Sequence, residues 1–261
     1  SFPNAIGGWN RRRDRQYVYY EAPAGGNGGL NDADGASAFV NVDFGNLPSI
    51  HNVESIENEM PLLVEGCALR QDGGGPGQFR GGVGMIRRIR LLDAEGQYSV
   101  LSDRAVIPPW GVMFGEPGKP YQLALERAGE KLGFDTPGKV SGHPILRDDV
   151  VVLQSSGGGG YGDPLTRDPM LVRSDVERGY VSREAARDAY GVIIDDSGEV
   201  DTAATSSSRD RLARARQSIA IRAEDTSEPY VGHKGRRRIL ALDPADAKRL
   251  GVAHDDLVEL Y

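Results

Sequence analysis

The chain has 261 residues, 39% of them hydrophobic and 26% charged, with a formal net charge of −7. That is enough apolar material for one large domain or two ordinary ones, and too much for a disordered chain. The acidic balance excludes a general nucleic-acid binder, no apolar run reaches the length of a membrane span and no secretory signal is read, so neither nucleic acid nor membrane is expected as a partner.

The first half reads as β. Strands are expected over 16–22 (QYVYYEA), 36–44 (ASAFVNVDF), 61–69 (PLLVEGCAL), 84–92 (GMIRRIRLL) and 98–106 (YSVLSDRAV), with one or two more in 143–156. These runs are rich in β-branched and aromatic residues and bounded by Gly, Pro, Asn and Asp. Helices follow. Asp168 with Pro169 opens one that Gly179 closes, and Ser182 opens a second that Gly191 stops. A third, longer helix is expected over 206–224, with Leu212, Ala215 and Ile219 on one side. The tail should form a strand, a short helix capped by Asp243 and a last strand. From Arg209 to Arg249 eleven Lys and Arg stand against six Asp and Glu, which reads as a solvated or partner-facing basic surface. Beginning at Ser1 and stopping in mid-pattern, the chain reads as cut at both ends.

Cys67, the single cysteine, excludes an internal disulfide framework and fits a reducing, cytoplasmic compartment. Following an apolar run, it should be a buried small hydrophobe. The four histidines, at 51, 143, 233 and 254, have no metal-ligand spacing, so a metal site within the chain is not expected.

Glycine is the unusual component: 35 residues, with seven among the fourteen of QDGGGPGQFRGGVG (71–84). GGGGYG at 157–162 formally matches GxGxxG, but Asp163-Pro164 follows where a dinucleotide site needs a helix. GEPGKP lacks the spacing and hydroxyl of a P-loop. A flexible linker is equally unsuited to Phe79, Arg80, Trp110, Phe114 and Tyr161, which want burial or defined partners. What remains is extended, polyproline-II-like backbone packed too closely for side chains, with Arg80 pinned by carbonyls. Trp110 should be core, and Asp32 and Asp34 should bond their own turns.

In order, YVYYEAPAGGNGG, PLLVEGCALRQDGGGPGQFRGGVGMIRRIRLL, LSDR…PPWGVMFGEPG and GGGGYGDPLTRDPMLVRSDVERGYVSREAARDAYGV resemble the C-terminal half of the hydantoinase B/oxoprolinase family. The resemblance covers 1–205 and leaves 206–261 as a tail extension. It implies a mainly β fold with some α: barrel-like sheets joined to a glycine-rich bundle of polyproline-II-like segments, with a few C-terminal helices. It also implies an ATP-dependent cyclic amide hydrolase acting on hydantoin, 5-oxoproline or a lactam. The alternatives are a ketone carboxylase subunit, or a structural half-chain without catalytic residues of its own. Implied partners are a hydantoinase A-type subunit carrying ATP and Mg, and the N-terminal half of the same domain. That half would hold a divalent metal, zinc or manganese, outside this chain. The chain departs from the family where IHNVE (50–54) replaces Asn-Thr-Pro-Val-Glu and where Asp148-Asp149 stands for a Gly-Asp.

Seven residues stand out as candidates. Glu21 ends an aromatic strand at the mouth of a glycine segment, Glu54 matches a family glutamate, and Arg104 offers a bidentate fork; these three are candidate catalytic residues. His51, Glu57, Arg80 and Asp103 are candidate substrate contacts. In an extended stretch His51 and Glu57 would share one face and Glu54 the other. Asp103-Arg104 is either an internal ion pair or an anion clamp.

Overall fold

A computed structural model describes residues 4–39 and 51–215, and the backbone of 222–225 and 238–241. By contacts the chain divides into Ser1–Arg209 and Asp210–Tyr261, a boundary that falls within a helix. In the second unit, β10 (Arg222–Asp225) pairs antiparallel with β11 (Arg238–Ala241), so strand replaces the helix expected at 222–224. The expected Asp243-capped helix and last strand lie outside the described residues.

The first unit is built on two antiparallel sheets. One has the order β2-β1-β5-β8: β1 (Asn4–Asn10), β2 (Arg15–Glu21), β5 (Glu95–Leu101) and β8 (Lys139–Leu146). The other has the order β3-β4-β9-β6-β7: β3 (Leu62–Leu69), β4 (Met85–Leu91), β9 (Val150–Gln154), β6 (Gln122–Arg127) and β7 (Glu130–Leu132). Among the described residues both sheets are open and not closed into a barrel. One apolar core draws on both, with Tyr19, Ile6, Tyr98 and Ile145 from the first and Leu62, Ile89, Leu125 and Val151 from the second.

Two helices form where their caps placed them. α2 (Pro169–Glu177) starts at Asp168, whose carboxylate accepts the Met170 N–H, and ends before Gly179 at φ +74°. α3 (Arg183–Asp188) starts at Ser182. α4 spans Thr202–Ala215. A further element departs from expectation: α1 (Val53–Glu59) is a helix where the residues suggest an extended stretch. Asn52 caps it by accepting from the N–H groups of Glu54 at 2.9 Å and Ser55 at 3.4 Å. At Asp148 φ is +69°, a left-handed conformation that Asp tolerates better than most residues. Asp149 beside it is held by the Arg127 fork at 2.9 and 2.7 Å.

The glycine segments are the third component. They run from 25 to 38, 73 to 84, 109 to 119 and 156 to 162, and contain no strand longer than an isolated bridge. Ala36–Phe39, expected to begin a strand, belongs to them; 40–44 lies outside the described residues. The segments lie backbone on backbone. A Cβ on Gly158 would stand 1.9 Å from the Asn27 carbonyl oxygen, and one on Gly157 would stand 1.7 Å from that of Gly73. Single hydrogen bonds stitch neighbours together: Gly158 N–H to Gly82 O, Gly75 N–H to Gly158 O, Gly29 N–H to Gly159 O and Gly160 N–H to Glu116 O, at 2.8 to 2.9 Å. Close packing is therefore the reason for the glycines.

Gly158→Ala should destabilise the protein by at least about 3 kcal/mol in denaturant melts, because backbone on several sides would have to move. Gly133→Ala, where a Cβ meets nothing within 4 Å, should be nearly neutral.

Candidate functional site

In a strand every second side chain faces the same way. On β2 the inward positions are Tyr17, Tyr19 and Glu21, and on β4 they are Met85, Arg87, Ile89 and Leu91. Each strand thus turns one charged residue into the core, and the two meet. Arg87 grips Glu21 bidentately, Nε to Oε2 and Nη2 to Oε1, both at 3.1 Å, with both side chains 1% exposed. The Tyr19 hydroxyl donates to Glu21 Oε2, and the His51 backbone N–H donates to Oε1 at 3.1 Å. Arg87 Nη2 also reaches the His51 carbonyl at 3.4 Å, and the His51 ring stands edge-on to Tyr19. Burial would lower the Arg87 pKa, but the Glu21 charge outweighs it and holds the guanidinium above its usual range. Burial, then the same charge, pushes the Tyr19 phenol well above its own.

Polar capacity remains at this centre. Arg87 Nη1 and the carboxamide of Asn4, opposite Glu21 in register, have no partner among the described residues. Cys67 pairs with Arg87 across β3–β4 and is exposed, not buried, because this end of β3 is uncovered on both faces.

The other candidates fall elsewhere. Glu57 Oε1 accepts the Val64 N–H at 2.9 Å and fastens α1 to β3, while Glu54 is exposed on the first turn of α1. Arg80 is buried. It donates to Asp175 at 3.2 Å and to the Gly81 carbonyl at 2.7 Å, and stacks on Tyr180. Asp175 also binds Arg167, whose fork holds Asp34 through two bonds of 2.6 Å. Asp34 thus ties the glycine bundle to α2 instead of bonding its own turn. Asp103 is exposed and forms no ion pair with Arg104. Arg104 stacks at 4.3 Å on Trp110, which is 56% exposed and not core.

The GGGGYG run cannot cradle phosphate through most of its backbone donors. The N–H groups of Gly157, Gly158, Gly160, Tyr161 and Gly162 already bond the carbonyls of Lys119, Gly82, Glu116, Phe79 and Val112. A single 3-10 turn, Pro164–Thr166, follows, and its own cap is Asp163. Among the described residues no three His, Cys, Asp or Glu side chains converge to hold a metal, and no helix is long and apolar enough to cross a membrane.

The hydantoinase B/oxoprolinase family matches residues 2–164. The chain belongs to that family. A D-/L-hydantoinase component of Pseudomonas sp. (strain NS671), so named provisionally, is 34% identical over 188 residues, 72% of this chain and 31% of the relative. Acetone carboxylase alpha subunit of Xanthobacter autotrophicus is 27% identical over 91% of this chain and 34% of its own. The crystal structure of ATP-dependent caprolactamase from Pseudomonas jessenii superposes with a TM-score of 0.68 at 28% identity, covering 80% of this chain and 37% of that one. The chain thus spans about a third of the length of these relatives.

Sequence reasoning missed Tyr19, Arg87, Arg167 and Asp175. The available signal was a charge in an inward slot: Arg87 breaks the apolar alternation of Met85, Ile89 and Leu91, and a buried arginine needs a carboxylate.

Two outcomes follow. Glu21→Gln should cost about 3–5 kcal/mol in denaturant melts by leaving the Arg87 charge buried and uncompensated, and Glu21→Leu/Arg87→Leu should recover much of that loss. For Asp34, burial would raise the pKa, but the Arg167 fork outweighs it and holds the carboxyl below its usual range. Its stabilising contribution is therefore present above the unfolded value of about 3.9 and lost as pH falls through the depressed one. Asp34→Asn should flatten the acid limb of a stability–pH curve.

Proposed function

We propose that this chain is part of the hydantoinase B-type subunit of an ATP-dependent cyclic amide hydrolase acting on a hydantoin, 5-oxoproline or a lactam. The observation that carries the reading is the family match over 2–164, together with glycine-run amides already bonded within the fold. ATP and Mg belong, in this reading, to a hydantoinase A-type companion, and the divalent metal to the part of the subunit outside this chain. The described residues do not fit a metal site, so no step is drawn through one. A cytoplasmic location goes with this assignment.

Amide resonance makes ring opening of an unstrained lactam slow, and ATP-driven activation at the companion subunit would remove that obstacle. Of the seven candidates, Glu21, Glu57 and Arg80 have their side chains engaged within the fold. Glu54 and Asp103 are exposed and Arg104 is half-buried against Trp110, and this reading gives them the contacts with substrate or companion. His51 contributes its backbone to the Glu21 centre and leaves its exposed ring for the same contacts. ATP-dependent ketone carboxylation is the second reading, favoured by an acetone carboxylase similarity that runs over 91% of the chain.

The full-length subunit, co-purified with its companion, should consume hydantoin, 5-oxoproline or caprolactam only when ATP is present, as followed by ADP release and product chromatography. Hydrolysis without ATP overturns the reading. Carboxylation of acetone in the presence of bicarbonate, with no cyclic amide turned over, establishes the second reading.

A further inference from the structure

We propose that the cavity beside the Arg104–Trp110 stack binds a small organic monocarboxylate with a short apolar body. The cavity is a shallow depression, broadly open to solvent, of about 390 Å³ and is lined by Asp103, Arg104, Val106, Ile107, Pro137 and Lys139 among others. That volume lies within the range of small-molecule sites.

Three features select the ligand. The first is an open guanidinium edge. Arg104 lies with its Cζ 4.3 Å from the centre of the Trp110 ring, so one face is covered, and among the described residues no carboxylate or carbonyl accepts from its N–H groups. A guanidinium placed over an indole with no carboxylate partner can meet a ligand carboxylate through two parallel hydrogen bonds. The second is charge. Arg104 and Lys139 line the cavity against Asp103 alone, which leaves one net positive charge and suits a monoanion better than a dianionic phosphate. The third is the wall. Val106 and Ile107 are 74% and 55% exposed and present apolar surface beside the cations.

The backbone supports a built site. Arg104 sits at φ +61°, an uncommon conformation for a long side chain. It is fixed there because its carbonyl accepts the Tyr121 N–H at 2.8 Å, while Ser102 N–H to Gly138 O at 2.7 Å clamps the opposite wall. The site therefore loses little freedom when a ligand enters.

This inference specifies what the Arg104 end binds and rests, for its physiological meaning, on the reading above, since opening a lactam liberates a carboxylate at one end of the chain and an amine at the other, and the fork would take the carboxylate end. The test needs neither ATP nor the companion, so its failure and the failure of that reading are distinguishable. In a calorimetric titration of the full-length subunit, hexanoate is the ligand, with hexanamide and hexylamine as neutral and cationic isosteres. Hexanoate should bind, and both isosteres should bind at least about tenfold more weakly. Arg104→Gln should weaken hexanoate by about tenfold or more, and Arg104→Lys should recover only part of that loss. Trp110→Ala should also weaken it, and the exposed cation change Arg187→Gln should leave it unchanged. Melting temperatures of all variants identify any that fail to fold, and for those Lys139→Gln replaces them with the same expected direction. The proposal is overturned by no detectable hexanoate binding at about 10 mM, well below the strength expected of a charge-assisted fork. Equal binding of hexylamine, or unchanged binding in folded Arg104→Gln, overturns it as well.

Discussion

The fold depends on a steric fact: at Gly157 to Gly160 carbonyl oxygens of the three other segments occupy the places where side chains would begin. Asn27, Gly73, Pro76 and Trp110 each put an oxygen within 2.0 Å of a would-be Cβ. Removing Cβ lets extended backbones lie together without the continuous ladders of a sheet, and the hydrogen bonds that remain are spaced singly along the run. The bundle then serves as a junction. β9 leads into it through Ser155, whose hydroxyl bonds both the Met85 N–H and the Ala24 carbonyl. Arg70 fastens it to the Pro120 and Ser155 carbonyls. Arg167, Asp34, Asp175 and Arg80 bind its other side to α2.

The same packing divides the charged residues into two populations. Inside, arginines are paired with carboxylates and carbonyls, and that pairing offsets much of their cost of burial. At the edges Arg104 and Asp103 lie close in sequence yet form no ion pair with each other. A motif count cannot separate the two kinds.

Much of this was legible in the sequence, and the failures have physical causes. Asp168-Pro169 with Gly179, and Ser182, declared their helices because cap chemistry is local. β3, β4, β8 and β9 followed from β-branched runs. β1 was hidden because Gly7 and Gly8 weaken any strand signal, although Gly8 is needed where Tyr17 crosses it. β6 and β7 went unassigned because QLALER and EKL use good helix formers. Their hairpin is set instead by Ala128 and Gly129, both at positive φ, as a two-residue turn demands. α1 depended on one capping asparagine. At the site, Glu21 and His51 were found but not their partners, because Arg87 lies 66 residues from Glu21 and only the sheet register brings it there.

The junction also constrains how the chain reaches its native state. Ala24 and Ser155, 131 residues apart, and Asp34 and Arg167, 133 apart, must meet before the bundle exists. Closing loops of that length costs entropy before any contact compensates, and glycine backbone offers almost no apolar burial in return. The β1–β2 and β6–β7 hairpins, which close locally, and the apolar inner faces of the sheets are the part able to condense first. Bundle formation is then a late, concerted step, and until it occurs four glycine-rich tracts stay extended and open to proteases.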